Sequence, residues 1–193
     1  MAEIFPHTIG KYEVQGIIAK GGMGVVYKAM HPSLKRQVVI KKMTARKNSA
    51  NVERFKREAQ ILLDLQSPYI VHLFDYFTEG GYRYMVEEFV DGMALDKLLQ
   101  KQTVLSPQLA MLILQDACLA LKYAHSKDIV HRDIKPGNIL ISKRAEIKLA
   151  DFGIATDSAE NDSLTESGVA LGTPAYMPPE QFENSAGVDC RAD

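Results

Sequence analysis

Three oxygen-bearing side chains between positions 131 and 153 have the types and spacing of a phosphoryl-transfer site. The stretch begins His131, Arg132, Asp133, Ile134, Lys135, Pro136, Gly137, Asn138 and closes with Asp151, Phe152 and Gly153. Asp133, Asn138 and Asp151 offer the hard oxygen ligands that suit magnesium, and Lys135 adds a cation able to neutralise a phosphate beside them. Two apolar runs, Ile139 to Ile141 and Ile147 to Leu149, flank the polar, turn-like Ser142 to Glu146. That pattern predicts a loop, a hairpin and a second loop, with the hairpin fixing the separation of the polar residues at its ends.

The elements that must position these residues are read in chain order. Tyr12 to Ile18 and Val25 to Ala29 are strand-like and are joined by Ala19 to Gly24, a turn carrying Gly21, Gly22 and Gly24. Glycines there let backbone amides approach an anion closely, because no side chain intervenes. Gln37 to Met43 is a third strand, whose apolar run Val38 to Ile40 ends in Lys41 and Lys42. Ser49 to Gln66 has helical periodicity through Val52, Phe55, Ala59, Leu62 and Leu65. Glu58 falls near that apolar face, where an unpaired carboxylate is costly, and two partners are open to it: Lys41 from the strand or Arg54 on its own helix. Ile70 to Phe77 and Tyr82 to Val90, joined at Gly80 and Gly81, complete an antiparallel sheet of five strands with one helix. A short helix within Asp91 to Thr103 then leads to a long one, capped by Ser106 and Pro107, with Leu109, Leu112, Ile113, Ala117, Ala120 and Ala124 on one stripe.

Composition narrows the partners. With 193 residues, 46% of them hydrophobic, the chain is long enough to bury a sizeable core. A formal net charge of -1 removes any general electrostatic case for nucleic acid or an anionic membrane. Met1 to Pro6 lacks the basic and apolar parts of a signal peptide, no apolar run approaches the ~18 residues of a membrane span, and the two cysteines are far apart. A cytoplasmic location is expected.

These motifs together resemble the eukaryotic-like serine/threonine protein kinases of bacteria. The resemblance rests on the glycine loop with Val25, Val26, Tyr27, Lys28 and Ala29, on Val38 to Lys41, on His131 to Asn138, on Asp151 to Gly153, and on Gly172, Thr173 and Pro174 to Glu180. It implies an α+β, bilobal protein-kinase-like fold, with residues 1–88 as the nucleotide-binding lobe and 89–193 as part of a mainly helical lobe reaching the first anchoring residue of its central helix, Asp193. It further implies that Asp133 orients the acceptor hydroxyl, Lys135 neutralises the transferred phosphate, and Asn138 and Asp151 hold Mg2+, or Mn2+ in its place. Lys41, paired with Glu58, meets the non-transferred phosphates of ATP. Ile18, Ala19, Gly21, Gly22, Met23, Gly24, Val26, Val39, Glu88, Val90 and Leu140 are placed as the remaining nucleotide contacts. Arg132 resembles the arginine that pairs with a phosphorylated activation loop, Thr165 and Ser167 match the phosphorylated positions, and Thr173 helps place Asp133 and Lys135.

Three departures bear on the nucleotide site. Ala19 stands where the first loop glycine would fall, Val39 replaces the alanine that lies against adenine, and Glu87 takes the gatekeeper position, where a buried carboxylate needs a partner. The expected activity is therefore transfer of the ATP γ-phosphate to serine or threonine of proteins, including the chain's own loop. The alternatives are a kinase-like binding module or a fragment with impaired catalysis, self-associating through its small lobe or an uncovered helical surface.

Overall fold

The computed structural model describes residues 5–21, 24–44, 59–152, 174–184 and 187–193. They fall into two compact units, 1–66 with 71–89, and 67–70 with 90–193.

The first unit is an antiparallel sheet of β1 (Thr8–Ile9), β2 (Tyr12–Gly21), β3 (Gly24–Met30), β4 (Gln37–Thr44), β5 (Leu73–Glu79) and β6 (Tyr82–Glu88), in the order β1-β2-β3-β4-β6-β5. The five expected strands are present, and the two-residue β1 adds a sixth at the edge. Alternation along the strands sends one set of side chains into a core of Tyr12, Val14, Tyr27, Ala29, Val38, Ile40, Tyr84 and Val86. Phe77 stacks on Tyr84 with ring centroids 5.1 Å apart. Two register shifts in the β2–β3 pairing, between Val14 and Gly16 and between Ile17 and Ala19, turn Ile17 toward the core and leave Ile18 half-exposed. Gly24 has φ +137°, and a Cβ there would lie 1.9 Å from the Lys42 carbonyl oxygen, so β3 and β4 close only around a glycine.

Tyr12 is fully buried and donates its hydroxyl hydrogen to Asp75 Oδ2 at 2.8 Å, while Lys11 Nζ pairs with the same oxygen at 2.9 Å. Burial first, and then the Asp75 carboxylate, push the Tyr12 phenol well above its usual range. Tyr12→Phe is expected to lower stability by about 1 kcal/mol in urea unfolding, the worth of one buried hydrogen bond, and no change would show that Lys11 alone satisfies Asp75.

Two boundaries differ from the sequence expectation. β5 begins at Leu73, not Ile70, because Ile70 turns into the other unit, where it bridges Leu149 in parallel and Leu149 donates its N–H to the Tyr69 carbonyl at 2.8 Å. One apolar run thus serves two cores. β6 ends at Glu88, short of Val90. Of the expected Ser49 to Gln66 helix, residues 59–63 are helical and the segment 45–58, with Glu58, lies outside the described residues.

In the second unit, β8 (Ile139–Ser142) and β9 (Ile147–Leu149) form the expected hairpin, and β7 (Gly92–Ala94) adds a third strand on β8. A Cβ at Gly92 would sit 1.9 Å from the Ile141 carbonyl oxygen, so this pairing also needs glycine. The Leu95–Lys101 helix follows, and the Pro107–His125 helix begins with Ser106 Oγ accepting from the Leu109 N–H at 3.3 Å. Ile113, Ala117, Ala120 and Ala124 form its buried stripe, whereas Leu109 and Leu112 are exposed. Leu112 stands about 100° round the helix from Ile113, and Leu109 occupies the first turn. Among the described residues, no helix is long and apolar enough to cross a membrane.

Candidate active site

The loop between the long helix and β8 gathers the polar side chains. Lys135 Nζ donates to Asp133 Oδ2 at 2.6 Å, and Asn138 Nδ2 donates to the same oxygen at 2.9 Å and to the Asp133 carbonyl at 2.7 Å. Pro136–Asn138 is a single 3-10 turn, which brings Asn138 back over Asp133 and leaves it buried. Among the described residues, Asp133 Oδ1 and Asn138 Oδ1 receive no hydrogen bond. One carboxylate oxygen and one amide oxygen are therefore left for groups from outside the chain.

A second carboxylate holds this loop in shape. Asp193, whose side chain is fully buried, accepts the His131 N–H on Oδ2 and the Arg132 N–H on Oδ1, both at 2.7 Å. Two successive amides can point at one carboxylate because Arg132 adopts φ 67°, a left-handed conformation uncommon for such a residue. His125 Nε2 meets Asp193 Oδ2 at 2.8 Å, and Gln181 Nε2 donates to the Arg132 carbonyl at 2.9 Å.

His131 ties the loop to the other end of the hairpin. Its Nε2 donates to the Ala150 carbonyl at 2.8 Å, next to Asp151, and its Nδ1 accepts the Asp133 N–H at 3.2 Å. The ring packs on Phe152 with centroids 4.5 Å apart. Both nitrogens are thus committed in the neutral form. Burial holds the His131 imidazole below its ordinary value of 6.5, outweighing the Ala150 carbonyl and the carboxylates of Asp193, Asp133 and Asp151. The unfolded chain takes up this proton near pH 6.5 and the folded chain resists it, so stability rises with pH through the window and falls on acidification below about 6.5. The melting temperature is expected to drop between pH 7.5 and 5.5, and to drop less in His131→Asn; equal drops would assign the effect elsewhere. Asp151 itself is exposed at φ 61°.

On the first unit, register places the candidate nucleotide residues together. Val26 pairs with Lys41 and Lys41 with Met85, while Lys28 pairs with Val39 and Val39 with Glu87. Ala19 opposes Val26. Ala19, Val26, Val39, Lys41 and Glu87 therefore share one face of the sheet, opposite the Tyr12–Val86 core. Lys41 Nζ lies 2.6 Å from Glu87 Oε2 across the diagonal between the strands. Sequence reasoning gave Glu87 a need for a partner, and strand register, readable only once β4 and β6 are paired, supplies Lys41; the expected Lys41–Glu58 pairing falls on a residue outside the described ones. Glu88 binds back to the sheet, its N–H donating to His72 O at 2.8 Å. Lys42, next to Lys41 in β4, lies over the Tyr82 ring at 3.6 Å. Gly21 ends β2 exposed, Val90 follows β6 half-buried, and Leu140 is half-buried in β8. Gly22, Met23, Glu58, Thr165, Ser167 and Thr173 lie outside the described residues.

No cluster of three His, Cys, Asp or Glu side chains forms among the described residues. The Asn138 amide oxygen and the Asp151 carboxylate are the hard oxygen donors that a magnesium-type ion would accept, since such an ion takes one or two protein oxygens and completes its shell with water and phosphate.

The protein kinase domain family matches residues 12–193. The chain is 38% identical over 194 residues to serine/threonine-protein kinase PknB of Mycobacterium leprae, across 97% of this chain and 31% of that protein. It is 40% identical over 186 residues to PknH of Mycobacterium tuberculosis, across 95% and 29%. It thus spans about three tenths of the length of these relatives. Among solved structures, the kinase domain of Mycobacterium tuberculosis PknI superposes with a TM-score of 0.78 at 26% identity, covering 96% of this chain and 70% of that one. Rad53 in complex with AMP-PNP gives 0.74 at 28% identity, covering 91% and 43%. The chain therefore belongs to the protein kinase domain family, among the bacterial serine/threonine kinases of eukaryotic-like type.

Proposed function

We propose that this chain transfers the γ-phosphate of ATP to serine and threonine hydroxyls of proteins, including its own Thr165 and Ser167. The observation that carries the reading is the division of labour on Asp133: Oδ2 is held by Lys135 and Asn138, while Oδ1 is left over to receive an acceptor hydroxyl. In the transfer, the acceptor oxygen bonds to the γ-phosphorus as the bond to the β-phosphate oxygen breaks. Its electron pair leaves with ADP, and the hydroxyl proton passes to Asp133.

Lys135 faces the charge on the moving phosphoryl group. Asn138 Oδ1 and Asp151 are the candidate ligands for Mg2+, or Mn2+; when bound, such an ion neutralises the phosphate oxygens. In the sheet unit, Lys41 meets the non-transferred phosphates, and Ile18, Gly21, Gly22, Met23, Gly24 and Val26 cover them. Ala19 and Val39 line the same site, and Glu88, Val90 and Leu140 contact the base. Glu58, Arg132 and Thr173 keep the supporting roles given them above, with residues 1–88 as the nucleotide-binding lobe and 89–193 carrying the catalytic loop, the metal loop and the activation segment. The need for ATP assigns this part of the protein to the cytoplasm.

A second reading, a kinase-like module that binds without turnover, is favoured by one contact, the placing of the Glu87 carboxylate on Lys41. Labelled-phosphate transfer from ATP and magnesium, to the chain itself and to a basic protein, separates the two. Transfer that disappears in Asp151→Ala supports the kinase. Nucleotide-dependent thermal stabilisation without transfer supports the module, and transfer unaffected by Asp151→Ala removes the mechanism. Mass spectrometry of an active preparation showing no phosphate on Thr165 or Ser167 would remove the self-modification.

A further inference from the structure

We propose that Glu87 is a positioning residue for catalysis, a sheet-borne carboxylate that holds the phosphate-binding Lys41 independently of Glu58, the partner that the family resemblance gives it. The proposal rests on Lys41 having the phosphate role assigned above.

The geometry is set by the backbone. β4 and β6 are interior neighbours in the sheet, flanked by β3 on one side and β5 on the other. Val39 opposes Glu87 and Lys41 opposes Met85, so Lys41 and Glu87 project from the same face one diagonal step apart. Diagonal positions are within reach of long side chains, and here the ammonium and carboxylate meet at 2.6 Å. Both side chains are largely withdrawn from water, at 18% and 11% exposure, which shields the pair from salt and counter-ions. Neither Cα can move without breaking interior ladder hydrogen bonds on two sides.

In protein kinases at large the corresponding lysine is held by a glutamate on a separate helix, and moving that helix assembles or dismantles the site. A carboxylate on the adjoining strand has no such freedom. Glu87 therefore keeps the Lys41 ammonium at a fixed place on the sheet face whatever the helix does. An apolar residue at position 87 would leave Lys41 dependent on a movable partner; the carboxylate makes its placement a constant of the sheet.

The test compares Glu87→Gln, Glu87→Asp and Glu58→Gln with the parent chain by kcat and KM for ATP, by direct ATP binding in a calorimeter, and by melting temperature. Gln keeps the shape and removes the charge. It is expected to raise KM for ATP and lower kcat, with kcat/KM falling about tenfold to a hundredfold, as for a misplacement of about 1 Å. Asp should recover part of the loss, and Glu58→Gln should lose less than Glu87→Gln. A purely structural Glu87 would lower the melting temperature and the active fraction while leaving KM for ATP unchanged, and that result overturns the proposal. So does a rise in activity, which would make Glu87 a brake, and so does a larger loss in Glu58→Gln. A parent chain that binds ATP without transferring phosphate overturns the proposed function alone, because the binding constants of the variants still decide whether Glu87 places Lys41. A parent chain that does not bind ATP overturns both.

Discussion

Asp133→Asn is expected to slow phosphate transfer by about a hundredfold to ten-thousandfold, the range for loss of a positioned acid–base group. The substitution is conservative in geometry. An asparagine can present its amide oxygen to Lys135 Nζ and Asn138 Nδ2, which now meet Asp133 Oδ2 at 2.6 and 2.9 Å, so the loop keeps its shape. Its amide nitrogen then takes the place of Oδ1, where it can neither accept the hydroxyl proton nor orient the oxygen lone pair toward phosphorus. Melting temperature and KM for ATP should stay near those of the parent, with the change confined to kcat. Initial rates with labelled ATP at saturating acceptor decide it: a variant keeping more than about a tenth of the parent rate shows that Asp133 is not the group receiving the proton.

Asp193→Asn should act on stability instead, lowering the unfolding free energy by about 3 kcal/mol in urea. Its carboxylate accepts the N–H groups of both His131 and Arg132, one on each oxygen, and also meets His125. An asparagine supplies one oxygen, and its NH2 group is forced against the second N–H in a fully buried position. Hydrogen bonds to charged groups are worth about 1.5 to 3 kcal/mol each, and a buried donor facing a donor adds its own desolvation penalty. Transfer should also fall, because Asp133 follows directly on the two fastened residues. A stability change below about 0.5 kcal/mol, the size of an ordinary surface substitution, would mean the fork contributes little to the fold.

Much of this was legible in the sequence because the informative signals are local. The β8–β9 hairpin follows from two apolar runs around a polar turn, and the Ser106 cap from a Ser-Pro step before an apolar periodicity. Asp133, Lys135 and Asn138 meet because a six-residue span with a Pro-Gly step closes on itself in a 3-10 turn. The contacts that escaped are set by register and by long closures. Glu87 reaches Lys41 only because Val39 falls opposite Glu87, and a one-residue slip would send the carboxylate to the other face. The β7 strand, three residues long, is too short to show periodicity, and its sign was a single glycine at a close backbone approach. Leu109 and Leu112 look like core by composition, yet they are exposed while the alanines of the same helix are buried.

The Asp193 fork also orders events in time. Its bonds to Arg132 and His131 close loops of 61 and 62 residues, and that to His125 one of 68. The sheet unit, by contrast, is complete once residue 89 has been made. Closing a long loop must be met in entropy before its contacts repay it, and a chain synthesised from its N-terminus cannot make these contacts until its residue 193 exists. During synthesis the small unit is therefore expected to fold first, with the His131 and Arg132 amides still hydrated, and the loop carrying Asp133 to be fastened last. A nascent chain would thus carry a finished sheet well before the loop of Asp133 has been fastened.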